Sequence, residues 1–189
     1  MTENSKQVSF DDEMLILVDD NDTITGYADK LACHRGEGIL HRAFSIFIFN
    51  KNKELLIQKR SQQKHLWPLI WANSCCSHPR KGEELENATS RRLAEELGIT
   101  TDLKHLFTFK YHAKYKNVGS EREMCAVYIG RSDDQIHLNP NEIAETRWIG
   151  INELTRELAK NGDIYSPWIK LEWERMMLNH RSDIDALFR

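Results

Sequence analysis

Glu83-Glu-Leu-Glu-Asn-Ala-Thr-Ser-Arg-Arg-Leu-Ala-Glu-Glu-Leu-Gly-Ile99 reads as one helix with a marked start and a marked stop. Glu83, Glu84 and Glu86 put negative charge where the helix dipole is positive, and Gly98 is a natural terminator. Just upstream lies Trp71-Ala-Asn-Ser-Cys-Cys-Ser-His-Pro79. The two stretches set a thiol, an imidazole, two arginines and two carboxylates around a single loop-to-helix junction. A buried core has no use for that mixture, because every charge taken out of water must find a partner. A site that holds a metal ion and a phosphate uses all of it.

Working outward, the helix is inserted into a series of strands. Met14-Leu-Ile-Leu-Val18 reads as a buried strand, stopped by Asp19-Asp-Asn-Asp22. Phe44-Ser-Ile-Phe-Ile-Phe49 and Glu54-Leu-Leu-Ile-Gln58 are strands joined through Asn50-Lys-Asn-Lys53, a hairpin signal. Beyond the helix, 106–112 and 124–129 are strand candidates separated by the polar loop around Asn117-Val-Gly-Ser120, and Thr146-Arg-Trp-Ile149 makes a last short strand. Helices over 151–160 and 167–178 close the chain. Residues 1–10 form a polar, frayed N-terminal tail, and 11–189 a single domain with no repeat, low-complexity tract or linker. Strands, a helix, more strands and then helices predict an α+β fold: a mixed β-sheet core flanked by helices, with additional helices at the C-terminus.

Composition narrows the function. The 189 residues suffice for one sizeable core, and 40% apolar with 29% charged residues is the balance of an ordinary globular protein. A net charge of -3 gives no basic field for nucleic acid, so any phosphate binding must be local. No apolar run approaches a membrane span, and the N-terminus lacks a signal peptide's apolar region. Cys33, Cys75, Cys76 and Cys125 have neither zinc-type spacing nor a disulfide framework. These features together predict a cytoplasmic protein with reduced thiols, and nothing in them calls for more than a monomer.

The pattern E-x7-R-x-L-x-E-E-x-G-I over Glu83 to Ile99 resembles the Nudix superfamily box, whose helix binds divalent metal beside a diphosphate. Glu83, Arg91, Leu93, Glu95, Glu96, Gly98 and Ile99 match it. Ser77 stands where the box starts with Gly, and Arg92 stands where it has Glu. In a hydrolase that carboxylate helps hold the metals that activate water. An arginine there removes a ligand and adds a planar cation suited to phosphate oxygens. Arg92 and Glu96 share one helix face, so the pair suits diphosphate held through Arg92 and a cation bridging to Glu96, without cleavage. Spacing alone is equally compatible with an exposed helix laced with Arg–Glu pairs.

A second set of ligand types is His34, His41, His78, Glu121 and Glu123. Alternation places Glu121 and Glu123 on one side of their strand. Three imidazoles and two carboxylates suit manganese, magnesium or zinc. Spacing does not show that the five converge. Cys-His-Arg-Gly-Glu-Gly-Ile-Leu-His over 33–41, the stretch from Trp71 to Pro79, Glu121-x-Glu123-x-Cys125 and Ser166-Pro-Trp168, in that order, are similar to the type I isopentenyl diphosphate isomerases. The likeness runs from Leu15 to Leu178.

That resemblance implies conversion of isopentenyl diphosphate to dimethylallyl diphosphate, a 1,3-allylic proton shift that transposes a C=C bond through a tertiary carbocation in isoprenoid biosynthesis. It implies catalytic roles for Cys76, Glu123 and Tyr111, with the face of Trp168 stabilising the cation. It puts Lys30, Arg60, Lys64 and Arg92 at the diphosphate. Five ligands, His34, His41, His78, Glu121 and Glu123, are implied for Mn2+, Zn2+ or Mg2+. A second ion, Mg2+, would bridge the diphosphate to Glu96 and the Cys76 carbonyl. Cys75 beside Cys76 has no implied role, and alternation in an extended segment points the two thiols apart. Two other readings compete: a Nudix hydrolase of a diphosphate-containing substrate, and a degenerate Nudix domain kept for partner binding.

Overall fold

The most apolar run of the chain becomes its central strand. β3 (His41–Phe49) is buried along nearly its whole length, as befits a strand covered on both faces. In the computed structural model, which describes residues 5–189, β3 runs parallel to β8 (Gly119–Arg131), from His41 opposite Glu123 to Phe49 opposite Arg131. β8 folds back on β7 (Leu103–Tyr115) as a long antiparallel hairpin. β1 (Met14–Val18) and β2 (Ile24–Asp29) form an antiparallel pair joined to β3 on its other flank, through Leu17 opposite His41. β4 (Glu54–Arg60) meets the end of β3 and pairs with β5 (Trp71–Ala72) and β9 (Ile143–Gly150). β6 (Cys75–Ser77) lies antiparallel to β3, with Cys76 opposite Ser45.

Alternation along β3 creates two cores. Ala43, Phe47 and Phe49 join Cys125, Val127 and Ile129 beneath α3 (Ile151–Lys160), α4 (Pro167–Asn179) and α5 (Arg181–Ala186), through Leu154, Trp168, Trp173, Met176 and Ile184. Phe44, Ile46 and Ile48 face α2 (Leu85–Leu97) through Ala88, Leu93 and Leu97. Each fully buried aliphatic or aromatic side chain contributes about 1.5–3 kcal/mol. The sheet is therefore mixed and lies between one helix and three, the expected α+β arrangement.

Differences from expectation have local causes. The two strands predicted over 106–112 and 124–129 extend far beyond those limits, because β7 and β8 keep pairing on each other up to the Tyr115–Gly119 turn. α2 starts at Leu85, with Glu84 at its N-cap and only Glu86 in the first turn. Glu83 lies outside the helix and accepts from the Arg80 amide and from Arg91. Gly98 ends α2 at φ 68°, as expected, and a Cβ there would stand 2.8 Å from that of His137. β2 was not foreseen: it is an edge strand with no fully buried residue, so no apolar alternation marks it. The short α1 (Lys30–His34), capped by Asp29 accepting from the Ala32 amide, was also not foreseen.

Of the polar tail expected over 1–10, the first four positions lie outside the described residues. Ser5 and Lys6 accept at their carbonyls from Asn141 and Asn139, and Val8 accepts from Arg92. No helix among the described residues is long and apolar enough to cross a membrane.

Candidate active site

Five side chains converge at the ends of β3 and β8. His34 closes α1, His41 opens β3, His78 follows β6, and Glu121 and Glu123 lie two apart on β8. Their ligand atoms all fall within 4.8 Å of one another. The sheet register explains the closeness, since His41 sits directly opposite Glu123. Gly119 lets β8 come against α1: a Cβ there would be 2.3 Å from the His34 carbonyl oxygen.

The cluster could hold a cation. Nδ1 of His34 lies 2.7 Å from the Lys30 carbonyl, and Nδ1 of His41 lies 2.7 Å from that of Ile39. A carbonyl only accepts, so each Nδ1 carries the proton and donates it, which in the neutral His41 leaves Nε2 with a free lone pair. Nε2 of His41 is fully buried with no hydrogen-bond partner, and stands 3.8 Å from a Glu123 oxygen. Oε2 of Glu121 is buried and pairs with His34 Nε2 at 2.7 Å, and the carboxylate raises His34 against its burial. Burial and the neighbouring His34 push His41 down to about 4, so it is an uncharged donor at neutral pH. Two buried carboxylates, three imidazoles and an orphaned lone pair fit a divalent ion such as Mn2+, Zn2+ or Mg2+.

Next to this cluster, Tyr111 of β7 is the cross-strand partner of Glu123, and its hydroxyl donates to Glu123 Oε2 at 2.7 Å. Burial, then repulsion from Glu121, raises the Glu123 carboxyl well above its usual range. Cys76 is half-buried on the α4 side of the sheet, and its thiol donates to Asn73 Oδ1 at 2.9 Å. The indole of Trp168, from α4, donates to the same oxygen at 3.1 Å. Asn73 is itself pinned by donating to the carbonyls of Ile46 and Cys75. Burial, then the nearby Glu172, raises the Cys76 thiol, so it is held protonated. Cys75 points the other way, into the core under α2, as alternation predicts.

A cavity of about 570 Å³ joins these groups to Lys30, Arg60, Lys64 and Arg92. Arg60 donates to the carbonyls of Trp67 and Leu66, and its guanidinium lies 5.2 Å from the Trp168 ring centroid. Lys64 donates to Glu142. Arg92 is 2% exposed, and every N–H it has is spent on protein acceptors: Glu96 twice, Glu95, Glu142 and the Val8 carbonyl. The structure thus brings the four cations to one cavity wall but commits the Arg92 donors to carboxylates. Glu96 stands apart from the five-ligand cluster, and both of its contacts with Arg92 fall on Oε1. Arg91 is a clamp on Glu83 and Glu95.

Sequence reasoning gave no role to three groups here. Asn73 lies inside the quoted Trp71–Pro79 stretch, which offered a signal. Glu142, 3% exposed, and Glu172, fully buried on α4, belong to no local pattern.

The chain matches the NUDIX domain over residues 39–170. It is 42% identical to isopentenyl-diphosphate Delta-isomerase 1 of Photorhabdus laumondii over 170 residues, covering 89% of this chain and 97% of the relative. It is 39% identical to isopentenyl-diphosphate Delta-isomerase 2 of Aromatoleum aromaticum over 166 residues, covering 88% and 87%. Among solved structures, DR0079 from Deinococcus radiodurans superposes with a TM-score of 0.71 at 25% identity, covering 86% of this chain and 98% of that one. Relatives of that identity across nearly the full length favour an isomerase over a generic Nudix hydrolase, and the chain belongs to the isopentenyl-diphosphate Delta-isomerase family on a NUDIX fold.

Proposed function

We infer that this chain isomerises isopentenyl diphosphate to dimethylallyl diphosphate. The observation that carries the reading is one cavity lined by Cys76, the Tyr111–Glu123 pair and Trp168 together with Lys30, Arg60, Lys64 and Arg92. The shift needs one proton delivered to the terminal methylene and one removed from the methylene bonded directly to the resulting cationic carbon, on its diphosphate side. Cys76 and Glu123 are the two groups for this, one as acid and the other as base, with Tyr111 hydrogen-bonded to Glu123. Between the two events the substrate is a tertiary carbocation, which water would capture. Trp168, 3% exposed, turns an electron-rich ring toward the cavity, and cation–π attraction in a dry site contributes about 2 kcal/mol. Asn73 fixes both Cys76 and Trp168 through one oxygen.

Lys30, Arg60 and Lys64 hold the diphosphate, with Arg92 adding charge behind them. His34, His41, His78, Glu121 and Glu123 would hold a Mn2+, Zn2+ or Mg2+ ion, and Glu96 with the Cys76 carbonyl would hold a Mg2+ for the diphosphate. When bound, these ions supply positive charge that orients Glu123 and offsets the substrate's negative charge. The reading makes the protein a cytoplasmic monomer acting on a small diphosphate, without nucleic acid or membrane as partner.

The test is proton NMR of isopentenyl diphosphate with purified protein and Mg2+ in D2O, with and without chelator. Deuterated dimethylallyl diphosphate, lost on chelation, is the expected product. No conversion by folded, metal-loaded protein, with phosphate or pyrophosphate released instead, would return the chain to the hydrolases.

A further inference from the structure

The cavity that carries the cations also carries an anion of its own. Glu142 precedes β9 and is almost wholly buried. One of its oxygens, Oε2, takes both the Lys64 ammonium and, at 3.0 Å, an Arg92 N–H. Its backbone is fastened to the loop that bears Lys64: the Ser61 amide donates to the Glu142 carbonyl, and the Lys64 amide to that of Ser61. Burial would raise the carboxyl, but Lys64 and Arg92 outweigh it and hold Glu142 at about 2, so it is ionised at neutral pH.

A fixed carboxylate is a poor lining for an anion pocket, because it repels the ligand that the pocket is there to bind. Its geometry suggests what is gained. Lys30, Lys64 and Arg92 line one cavity, and like charges so placed repel one another. An internal anion keeps such cations close together while no ligand is bound. Arg92 has no unspent donor, so a diphosphate can reach it only by taking a place now held by a carboxylate or by the Val8 carbonyl.

We propose that Glu142 is a positioning residue for the diphosphate: an internal counter-ion that sets Lys64 and Arg92 in place and yields part of their hydrogen bonding when diphosphate enters. It thereby lowers diphosphate affinity while holding the cations where the reacting end of the substrate needs them. This rests on assigning the diphosphate to the Lys30, Arg60 and Lys64 wall. The two functions of the carboxylate, charge and place, predict opposite effects on affinity and on rate.

The probe is inorganic diphosphate with Mg2+, titrated calorimetrically into the metal-loaded enzyme, alongside kcat and KM for isopentenyl diphosphate. Glu142→Gln removes the charge and nearly keeps the shape. Its expected Kd for diphosphate falls by about fivefold or more, while kcat also falls. Glu142→Asp keeps the charge but withdraws it, so Kd is expected to stay within about twofold while kcat falls. A merely structural role weakens binding in both variants, and that result, or an unchanged Kd in folded Glu142→Gln, overturns the proposal. Should Glu142→Gln not fold, an unchanged kcat in Glu142→Asp overturns it as well. Lys64→Met separates the premise from the inference. If it leaves diphosphate binding unaltered, the cation wall is not the diphosphate site and both fall. If it weakens binding while Glu142→Gln does not strengthen it, only the inference falls.

Discussion

At the scale of single residues, the site is governed by what each buried polar atom has for a partner. Cys76→Ala removes one of the two proposed proton-transfer groups, and Glu123→Gln the other. Each is expected to lower isomerisation by at least about three orders of magnitude while leaving the circular dichroism spectrum near wild type. Turnover within tenfold of wild type in either variant takes that residue out of the chemistry. Glu172 supplies a prediction of another kind. Burial pushes its carboxyl up to about 7, against hydrogen bonds from Ser45 and Cys125. An unfolded glutamate releases its proton near 4.3. Between about pH 4.3 and 7 the unfolded chain has lost this proton and the native one has kept it, so stability falls as pH rises through that window. Glu172→Gln is expected to flatten the fall by up to about 1.4 kcal/mol per pH unit, measured by urea unfolding from pH 5 to 7.5. An identical pH slope in both proteins contradicts the assignment. The types of ligand at His34, His41, His78, Glu121 and Glu123 were legible in the sequence, and so was the likeness that joined them. Glu142 and Glu172 were not, because a buried carboxylate in a sequence looks like any surface carboxylate until its partners are known.

At the scale of elements, α2 shows what a sequence pattern says and what it leaves out. Its existence, its acidic start and its Gly98 stop follow from local propensity and backbone sterics. What Arg92 does could not be read from spacing, because its three carboxylate partners come from two separate parts of the chain, α2 and the residue before β9. If Arg92 is a diphosphate contact, as the sequence pattern suits, Arg92→Glu lowers diphosphate affinity first. The geometry predicts otherwise: a fourth carboxylate would join Glu95, Glu96 and Glu142, with only Arg91 on Glu95 and Lys64 on Glu142 left as counter-ions. Breaking a buried ion pair costs about 3–5 kcal/mol, so loss of stability is the expected first effect. A thermal midpoint close to wild type with weakened diphosphate binding would restore the earlier reading. β3 and its hairpin to β4 were legible because apolar residues run unbroken there. The edge strand β2, the two-residue β5 and the five-residue α1 were not, since elements that short are fixed by the neighbours they dock on.

At the scale of the whole molecule, the five-ligand cluster ties together segments far apart in the chain. His34 comes from α1, His41 from β3, His78 from the turn after β6, and both glutamates from β8. Holding Glu121 and Glu123 side by side and buried sets two carboxylates in repulsion, and His41 keeps a buried lone pair without a partner. Both features cost folding energy in the free protein, and both would be relieved by a divalent ion. An ion that binds the native arrangement and not the unfolded chain stabilises the fold by mass action: about 2.7 kcal/mol at a hundred times its dissociation constant. For a chain of this size, each kcal/mol raises the melting temperature by roughly 2–4 °C. Adding Mn2+ or Zn2+ to chelator-treated protein is therefore expected to raise the midpoint by about 5–10 °C in differential scanning calorimetry. His34→Gln removes one ligand from an otherwise intact cluster and should lose most of that rise. It serves as a control for nonspecific ion effects, which would persist in it. Equal midpoints with and without ion in the wild-type protein would mean that the five side chains are held by their own hydrogen bonds, and that the orphaned lone pair of His41 is tolerated for another reason.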